Sequence, residues 1–359
     1  MLDSLYEKAL VKKDNINERI NNDFDNPYVN PSKYWRDYPL KEDHDVEVTI
    51  CAGDGSINKK KFMSFIFYAI DAECLIYKKN LEIIESSEID IIPHHQHVED
   101  RLRSYMGIFE IKNALKAFEE HDVNLFLFDG SILGNLIRPS PLEKRLPSEV
   151  KEKIKIKYLP RLEEELKNEL EYSKIGIVSS KFFKTIEKEF EKKTEAMIYI
   201  ESLENLMVIG ELLKNERSVV GISKTSTSRE YFKKSEIPDM AVFDRYSRKE
   251  GYSTPQHIKI STDDKKRDFP IKNDFFRSLT FTIFYARLED HKNILKFELP
   301  YKANEEEIKN ILGFIKSNSA EGYPYLLKKA HNDVMIRKVD LERLSKIIGF
   351  MEKSGREML

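Results

Sequence analysis

Hydrophobic and polar residues alternate along several short segments of the chain, and this alternation predicts the strands of a mixed α/β protein. Residues 46–52 alternate in this way, and we expect their strand to end at the turn-forming residues 53–56. Residues 62–77 are nearly all apolar and predict two buried strands joined by a turn. Further strands are expected at residues 81–92, 123–128, 217–223, 281–288 and 294–299, the last two antiparallel.

Apolar residues spaced three or four apart predict helices between and after these strands. Residues 98–121 are the clearest case, because the spacing continues without an internal proline. The polar residues 246–268 are expected to form a mobile loop. A mixed sheet with helices on its faces is the architecture that this order of elements predicts. Other helices are expected at residues 139–173, 181–190, 201–214, 305–316, 325–337 and 341–353.

Composition divides the chain into an arm, a main domain and an insertion. Residues 1–41 are polar, with helically spaced apolar residues near their start, and they predict an N-terminal arm. Residues 42–359 form the main domain. Within it, the highly charged residues 138–215 are expected to be a helical insertion outside the core sheet.

Charge and composition narrow the class of protein only slightly. Charged residues make up 34% of the chain, but 60 Lys and Arg against 62 Asp and Glu give a net charge of −2. There is thus no overall basic field, although a local basic groove could still bind nucleic acid. The sequence contains no apolar run long enough to span a membrane, its start does not resemble a secretory signal, and it has only two cysteines. We therefore expect a cytoplasmic protein without a membrane partner.

The most informative chemical feature is the tripeptide Asp-Gly-Ser, which occurs at residues 54–56 and again at 129–131. Each copy follows a predicted buried strand. A single copy is more often an ordinary turn, because Asp and Gly are favoured turn residues. Two copies at strand ends favour a site, since functional residues gather at the carboxyl ends of strands in α/β sheets.

Glu110 adds a third acid to the two aspartates. It lies in an apolar part of the predicted helix 98–121, where an acid is costly unless it is paired or bound to metal. Three carboxylates from two strands and a helix would form an oxygen site suited to Mg²⁺ or Mn²⁺. Such a site can hydrolyse phosphodiester bonds with two metal ions.

The order strand with Asp, hairpin, helix with Glu and strand with Asp resembles a ribonuclease H-like core. The individual motifs resemble the NurA family of archaeal and bacterial nucleases that process DNA ends. The resemblance extends in short stretches from about residue 46 to the C-terminus. The matching stretches are residues 52–56, 103–114, 127–131, 221–225 and 322–331.

The resemblance implies a role for five residues. Asp54, Glu110, Asp129 and His331 would be metal ligands, and Lys224 would face the scissile phosphate. The metal would be Mn²⁺, with Mg²⁺ possible. Without the resemblance, Lys224 is equally a lysine of a polar loop, and His331 is by default a core histidine.

The family also implies substrates and partners. It implies 5′–3′ exonuclease and single-strand endonuclease activity on single- and double-stranded DNA, in recombinational repair. It further implies a homodimer and a hexameric ATPase partner of the HerA type. The arm and the charged insertion are the candidate contact surfaces.

Two other classes of function remain open from the sequence. Actin-like ATPases and sugar kinases share the ribonuclease H-like core, but the sequence lacks the late glycine-rich loop that they use for adenosine. A catalytically inactive module that binds DNA ends or a translocase is the other alternative, and the retained acids and His331 argue against it. The sequence also lacks the phosphate-binding loop of P-loop motors.

Several remaining polar residues have an ordinary structural interpretation. The histidines within residues 94–97 predict a surface loop more readily than a zinc site. Asp71 and Glu73 are expected to face solvent, although a supporting role as ligands is open. Tyr323 and Tyr325 are expected to be core residues and not base-stacking ones, and Cys51 is expected to be a core residue of its strand.

Overall fold

The computed structural model describes residues 3–24, 29–42, 48–140, 142–172, 175–261 and 267–350. The helices are α1 (Asp3–Phe24), α2 (Val98–Glu120), α3 (Ile132–Ile137), α4 (Ser148–Tyr172), α5 (Phe183–Glu189), α6 (Lys193–Leu212), α7 (Asp239–Tyr246), α8 (Asn273–Ser278), α9 (Glu305–Ser317), α10 (Tyr325–Asp333) and α11 (Lys338–Ile348). The strands are β1 (Trp35–Asp37), β2 (Ile50–Lys61), β3 (Ile66–Tyr77), β4 (Leu81–Ile92), β5 (Leu125–Asp129), β6 (Val219–Ser223), β7 (Gly251–Ser253), β8 (Gln256–Lys259), β9 (Thr280–Arg287), β10 (Leu295–Leu299), β11 (Ser319–Ala320) and β12 (Tyr323–Pro324).

Within the described residues, ten strands form one mixed sheet in the order β1-β7-β9-β10-β6-β5-β2-β3-β4, with β8 paired to β9. β5 lies parallel to β2 on one side and to β6 on the other. A parallel centre is stable only when both faces are covered. Here α2 and α6 pack on one face, and α9 and α10 pack on the other. The predicted mixed sheet flanked by helices is therefore confirmed.

Two predictions about the first strands are wrong in their bounds. The first strand does not end at residues 53–56, because β2 continues through them to Lys61. Residues 62–77 do not form two strands, because β3 is one strand that pairs with β2 along its whole length. The acids at 71 and 73, which suggested a turn, occupy alternate positions on one face of that strand. Residues 46 and 47 of the predicted first strand lie outside the described residues.

The polar segment 246–268 is also more ordered than predicted. It contains β7 and β8, and β7 joins β1 to the edge of β9. Tyr252 of β7 is buried in the core, which explains why a mostly polar segment adopts a strand here. Residues 262–266 of this predicted loop, and 351–353 of the last predicted helix, are outside the described part of the chain. No helix that the structure describes is both long and apolar enough to cross a membrane.

The N-terminal residues form the single helix α1, which contacts the main domain through its last turns. Arg245 of α7 donates a hydrogen bond to Asn21 Oδ1 at 2.9 Å, and the Tyr246 hydroxyl donates one to the Phe24 carbonyl at 3.2 Å. Most apolar side chains of α1 are exposed to solvent. They are Leu5, Tyr6, Leu10, Val11, Ile16 and Ile20.

The residues predicted as a helical insertion contain α4, α5 and α6, and a buried cluster of charges joins them to α2. Lys112 of α2 is fully buried and donates hydrogen bonds to Glu169 of α4 at 2.8 Å and Glu204 of α6 at 2.9 Å. Its third hydrogen bond is to the Gly176 carbonyl at 2.6 Å. A buried lysine with three acceptors is a strong geometric constraint, because each lost partner would leave a desolvated charge.

We expect Lys112→Ala to lower the free energy of unfolding by about 3–5 kcal/mol, since it removes the only cation paired with the buried Glu204 among the described residues and leaves Glu169 with the more distant Lys181 at 3.6 Å. Urea-induced unfolding followed by circular dichroism measures this loss. The control is Lys167→Ala, which removes an exposed lysine that lies 3.7 Å from Glu171 on α4. It should cost about 0.5 kcal/mol or less. Equal losses in the two variants would contradict the structural role of the buried cluster.

Candidate metal centre

The register of the parallel strands brings the two predicted aspartates together. The pairing of β2 with β5 ends where Gly53 lies opposite Phe128. Asp54 and Asp129 are the next residue of each strand, so their side chains leave the same face of the sheet side by side. On the other side of β5, Asp129 lies opposite Ile222 of β6, and Lys224 follows two residues later. The three strands therefore deliver two acids and a lysine to one place.

His331 joins the two aspartates from the helix above them. Its Nδ1 lies 2.8 Å from Asp54 Oδ2, and α10 packs directly on β2. Each of Asp54, Asp129 and His331 offers a ligand atom within 4.8 Å of the others. Of the described residues, this is the one group of three His, Cys, Asp or Glu side chains with ligand atoms so close together. Lys224 lies beside the group, with its Nζ 2.8 Å from Asp129 Oδ2.

Glu110 approaches the same place from α2, on the opposite side of β2. The helix crosses the strand at Gly55, where a Cβ would lie 2.8 Å from Met106 Cγ. Glycine permits this close approach, and Glu110 follows Met106 by one helical turn. The Glu110 side chain is only 4% exposed, and among the described residues none forms a hydrogen bond with its Oε1.

The electrostatics of the three acids favour a bound cation. Burial raises the pKa of Glu110 well above its usual value, and the charges of Asp54 and Asp129 raise it further. The pKa of Asp54 is also raised, first by burial and then by Asp129, although hydrogen bonds from His331 and the Gly55 amide oppose the shift. Carboxylates that destabilise one another are a ready site for a divalent cation. Oxygen donors with one imidazole suit Mn²⁺ or Mg²⁺.

The second Asp-Gly-Ser is fixed by the backbone conformation of its glycine and by a buried acid. Gly130 has a φ of +134°, which a residue with a side chain rarely adopts. The Ser131 hydroxyl accepts a hydrogen bond from the Gly134 amide and donates one to Glu298 Oε1 at 2.6 Å. Glu298 is fully buried and is also paired with Lys296 at 2.7 Å. The turn that follows Asp129 is thereby held against β10.

Tyr323, which is expected from the sequence to be a core residue, lies beside Lys224 at the edge of the site. The Lys224 ammonium is 4.9 Å from the centre of its ring. Burial raises the pKa of the Tyr323 phenol, and the charges of Asp129 and Asp54 raise it further. The phenol therefore keeps its proton and can act as a donor. Its place in the family-like stretch 322–331 was the available signal.

The prediction that Asp71 and Glu73 face solvent is wrong for Glu73. Glu73 lies opposite Asp54 in the pairing of β2 with β3 and is only 7% exposed. Burial, and then the nearby charge of Asp333, raises the pKa of Glu73 to about 7. Asp71 is partly buried on the same strand. Neither belongs to the group of closely spaced ligand atoms.

The remaining candidates do not come together as a metal site. His94 Nε2 contacts the Phe62 carbonyl at 2.9 Å, while the rings of His95 and His97 lie 5.3 Å apart. Within the described residues they are not part of a group of three close ligands, so the zinc alternative has no support. Cys51 is buried in its strand, as predicted, but the prediction that Tyr325 is a core residue is wrong, because Tyr325 is 55% exposed.

Comparisons with known proteins agree in family and in fold. The model of a family described as "NurA domain" matches residues 48–336. The chain is 30% identical over 330 residues to a "Probable DNA double-strand break repair nuclease NurA" of Methanocaldococcus jannaschii, covering 87% of this chain and 81% of that protein.

Two solved structures have the same fold. A crystal structure of the NurA nuclease from Sulfolobus solfataricus has a TM-score of 0.74 at 22% identity and covers 97% of each chain. A crystal structure of NurA with manganese has a TM-score of 0.73 at 16% identity, covering 95% of this chain and 98% of that one.

The raised pKa of Glu110 predicts that an uncharged residue there stabilises the metal-free protein. The folded state holds this proton more tightly than the unfolded chain, in which the pKa has its ordinary value of 4.5. The contribution of Glu110 to stability is therefore largest in acid and is lost as the pH rises above 4.5. In EDTA, Glu110→Gln should raise the free energy of unfolding by about 1–3 kcal/mol at pH about 8 and by less at pH about 4.

Thermal unfolding at the two pH values, with and without Mn²⁺, measures this difference. Mn²⁺ should stabilise the unaltered protein more than Glu110→Gln, since the variant lacks one charged ligand. Glu119→Gln is the matched control, because Glu119 lies on the same helix but is exposed. A Glu110→Gln variant that follows the control at both pH values would show that burial of Glu110 has no electrostatic effect.

Proposed function

The chain belongs to the NurA family, and from that premise we propose that it is a metal-dependent nuclease that hydrolyses DNA ends during the repair of double-strand breaks. The observation that carries this proposal is the convergence of Asp54, Asp129 and His331 within 4.8 Å, beside the buried, unpartnered Glu110. The relative from M. jannaschii is named as a repair nuclease, and one structural neighbour contains manganese. Both names support a nuclease that uses a divalent cation.

The donor set fits such a cation. Asp54, Asp129 and Glu110 supply oxygens and His331 supplies a nitrogen, and the oxygen of Glu110 that lacks a hydrogen bond is the kind of buried atom that a cation would satisfy. When bound, Mn²⁺ or Mg²⁺ polarises a phosphate oxygen and activates a water for attack. We extend the proposal to two ions, since phosphodiester hydrolysis by carboxylate sites commonly uses a pair.

The other side chains of the site act on the phosphate itself. Lys224 carries a positive charge at Asp129, where it can balance the negative charge that develops during phosphodiester hydrolysis. Tyr323 lies under that ammonium with its proton retained, so its phenol can donate a hydrogen bond to a phosphate oxygen. Asp54 contacts His331 Nδ1 and thereby fixes the orientation of the ring.

The proposal includes the finer properties that the family resemblance implies. These are 5′–3′ exonuclease and single-strand endonuclease activity on both single- and double-stranded DNA, a homodimer, and a HerA-type hexameric ATPase partner. The exposed apolar residues of α1 support a role for this helix in one of the two assemblies. Light scattering and co-purification, with the full chain and with a chain that starts at Asp45, would test which assembly α1 supports.

We expect Asp54→Ala and Asp129→Ala to reduce DNA cleavage by several orders of magnitude, because each removes a charged ligand of the proposed cation. The assay uses end-labelled single- and double-stranded DNA with Mn²⁺, Mg²⁺ or EDTA. Asp90→Ala is the control, since Asp90 is an exposed strand aspartate whose hydrogen bond is to its own neighbour Ile91. Cleavage at the unaltered rate in folded Asp54→Ala or Asp129→Ala would contradict the proposed site, and cleavage that EDTA leaves unchanged would contradict metal dependence.

Lys224 should have opposite effects on metal binding and on catalysis. Its ammonium occupies the Asp129 oxygen that a divalent cation would use, so Lys224→Ala should tighten Mn²⁺ binding. The same change removes charge stabilisation of the reacting phosphate and should lower kcat by about 10²–10³. Isothermal titration measures the first effect and steady-state cleavage the second.

Lys328→Ala provides the control for Lys224. Lys328 is an exposed lysine of α10 whose Nζ lies 3.3 Å from Glu321, outside the site. Neither Mn²⁺ affinity nor kcat should change in this variant. Weaker Mn²⁺ binding in Lys224→Ala would mean that the lysine helps to hold the site together and does not compete with the cation.

A further inference from the structure

A cavity of about 280 Å³ lies between α2, α6 and the start of α3, immediately beside the proposed metal centre. Glu110 and Asp129 form part of its wall. We propose that this cavity, which we call the α2–α6 cavity, binds one nucleotide of a single DNA strand next to the phosphate that is hydrolysed. The inference rests on the proposed nuclease function and adds a binding site for the strand, in which Arg103 and Arg138 contact the phosphates.

The rim of the α2–α6 cavity carries more positive than negative charge. Arg103 and Arg138 both line it, and their side chains are 55% and 63% exposed. Both lie near the single carboxylate of Asp100, at 3.8 Å and 3.3 Å. One acid therefore holds two arginines at the same opening. A guanidinium group binds a phosphate through paired hydrogen bonds, so this rim suits the backbone of a strand.

The other two arginines in the wall are neutralised within the protein. Arg101 is paired with Glu201 at 2.6 Å, and both are buried. Arg267 is paired with Glu143. The attraction for an anion thus comes from Arg103 and Arg138, while Glu110 and Asp129 of the metal centre line the same cavity. A strand bound to these arginines would therefore lie beside the proposed cation site.

The interior of the cavity suits a nucleoside. Asn135, Ser202 and Asn205 line it and offer neutral donors and acceptors. Leu206 and Ile209 add an apolar surface on which the face of a base can lie. The volume is near the lower limit of pockets that hold small organic molecules. One nucleotide fits such a space and a base pair does not, so a duplex would have to be opened before its strand enters.

The arginines can be tested by DNA binding without turnover. The probe is a fluorescein-labelled oligothymidylate, measured by fluorescence anisotropy in EDTA over a range of salt concentrations. Arg103→Ala and Arg138→Ala should each weaken binding about tenfold, as expected for the loss of a charge-assisted phosphate contact. Each should also reduce the slope of log affinity against log salt by about 0.7.

The matched control for the arginines is Arg343→Ala. Arg343 also lies three residues after an aspartate, with its guanidinium 4.0 Å from Asp340, but it is on α11 and away from the cavity. Its loss should leave both the affinity and the salt slope unchanged. Affinity that falls equally in all three variants would point to general surface charge and would overturn the assignment of a binding site.

A second variant tests the cavity itself. Gly107 lines the cavity, and a Cβ there would meet Asn205 Oδ1 at 3.6 Å, which is ordinary contact. A Cβ is thus accommodated at this position, and we expect the longer side chain of Gly107→Leu to occupy the cavity and to lower affinity for the oligothymidylate at least tenfold. Gly107→Ala fills much less of the cavity and should lose much less affinity. Circular dichroism and Mn²⁺ titration of both variants establish that the fold and the metal centre are intact.

The outcomes distinguish this inference from the function on which it rests. If the unaltered protein cleaves DNA with Mn²⁺ but Gly107→Leu and the two arginine variants bind the oligothymidylate normally, the cavity is not the binding site for the strand. If the unaltered protein cleaves neither single- nor double-stranded DNA with Mn²⁺, the nuclease proposal fails instead. Tighter binding of a free nucleoside triphosphate than of the oligothymidylate would also overturn the inference, in favour of an effector site.

Discussion

Electrostatic repulsion among three carboxylates at one end of a parallel strand pair is the constraint on which the site depends. The register of β2 and β5 places Asp54 beside Asp129, and the close crossing of α2 at Gly55 adds Glu110. Burial raises the pKa of Asp54 and of Glu110, and the charge of Asp129 raises both further. Apolar residues in place of the acids would remove this electrostatic repulsion. A bound cation instead converts the repulsion into binding affinity. The fold thus maintains a local instability that a divalent ion relieves.

The rest of the molecule treats buried charge differently. Lys112 is enclosed by carboxylates and a carbonyl, and Glu298 is paired with Lys296 and bonded to Ser131. These paired charges join the helices of 138–215 to α2 and join β10 to the turn after Asp129. Among the described residues neither kind of partner bonds to Glu110 Oε1, although Glu110 lies two residues from Lys112 on the same helix. The contrast agrees with the proposal that the paired charges provide rigidity and that Glu110 serves as a metal ligand.

Much of this arrangement could be read from the sequence, and the failures have physical causes. Strand alternation and the repeated Asp-Gly-Ser located both aspartates, and the family resemblance added Lys224 and His331. The continuation of β2 past Asp54 was missed because Gly55 and the lysines after it resemble a loop. The burial of Glu73 is not predictable locally, because it depends on β2 and α10, which are separate segments of the sequence. Glu298 gave no local signal at all, since its partner Ser131 is 167 residues away.

Asp54 and Asp129 directly follow the paired residues Gly53 and Phe128. The number of residues along each strand therefore sets the face of the sheet on which the two carboxylates lie. Inserting or deleting one residue between Ile50 and Asp54 would turn the carboxylate to the α2 face of the sheet. Replacement of the flanking apolar residues by others of similar size leaves the count intact. Evolution can therefore change the identity of most residues around this centre, but it cannot change the length of these two strand segments. Variation in chain length is expected to accumulate in surface connections between helices, where no strand register depends on it.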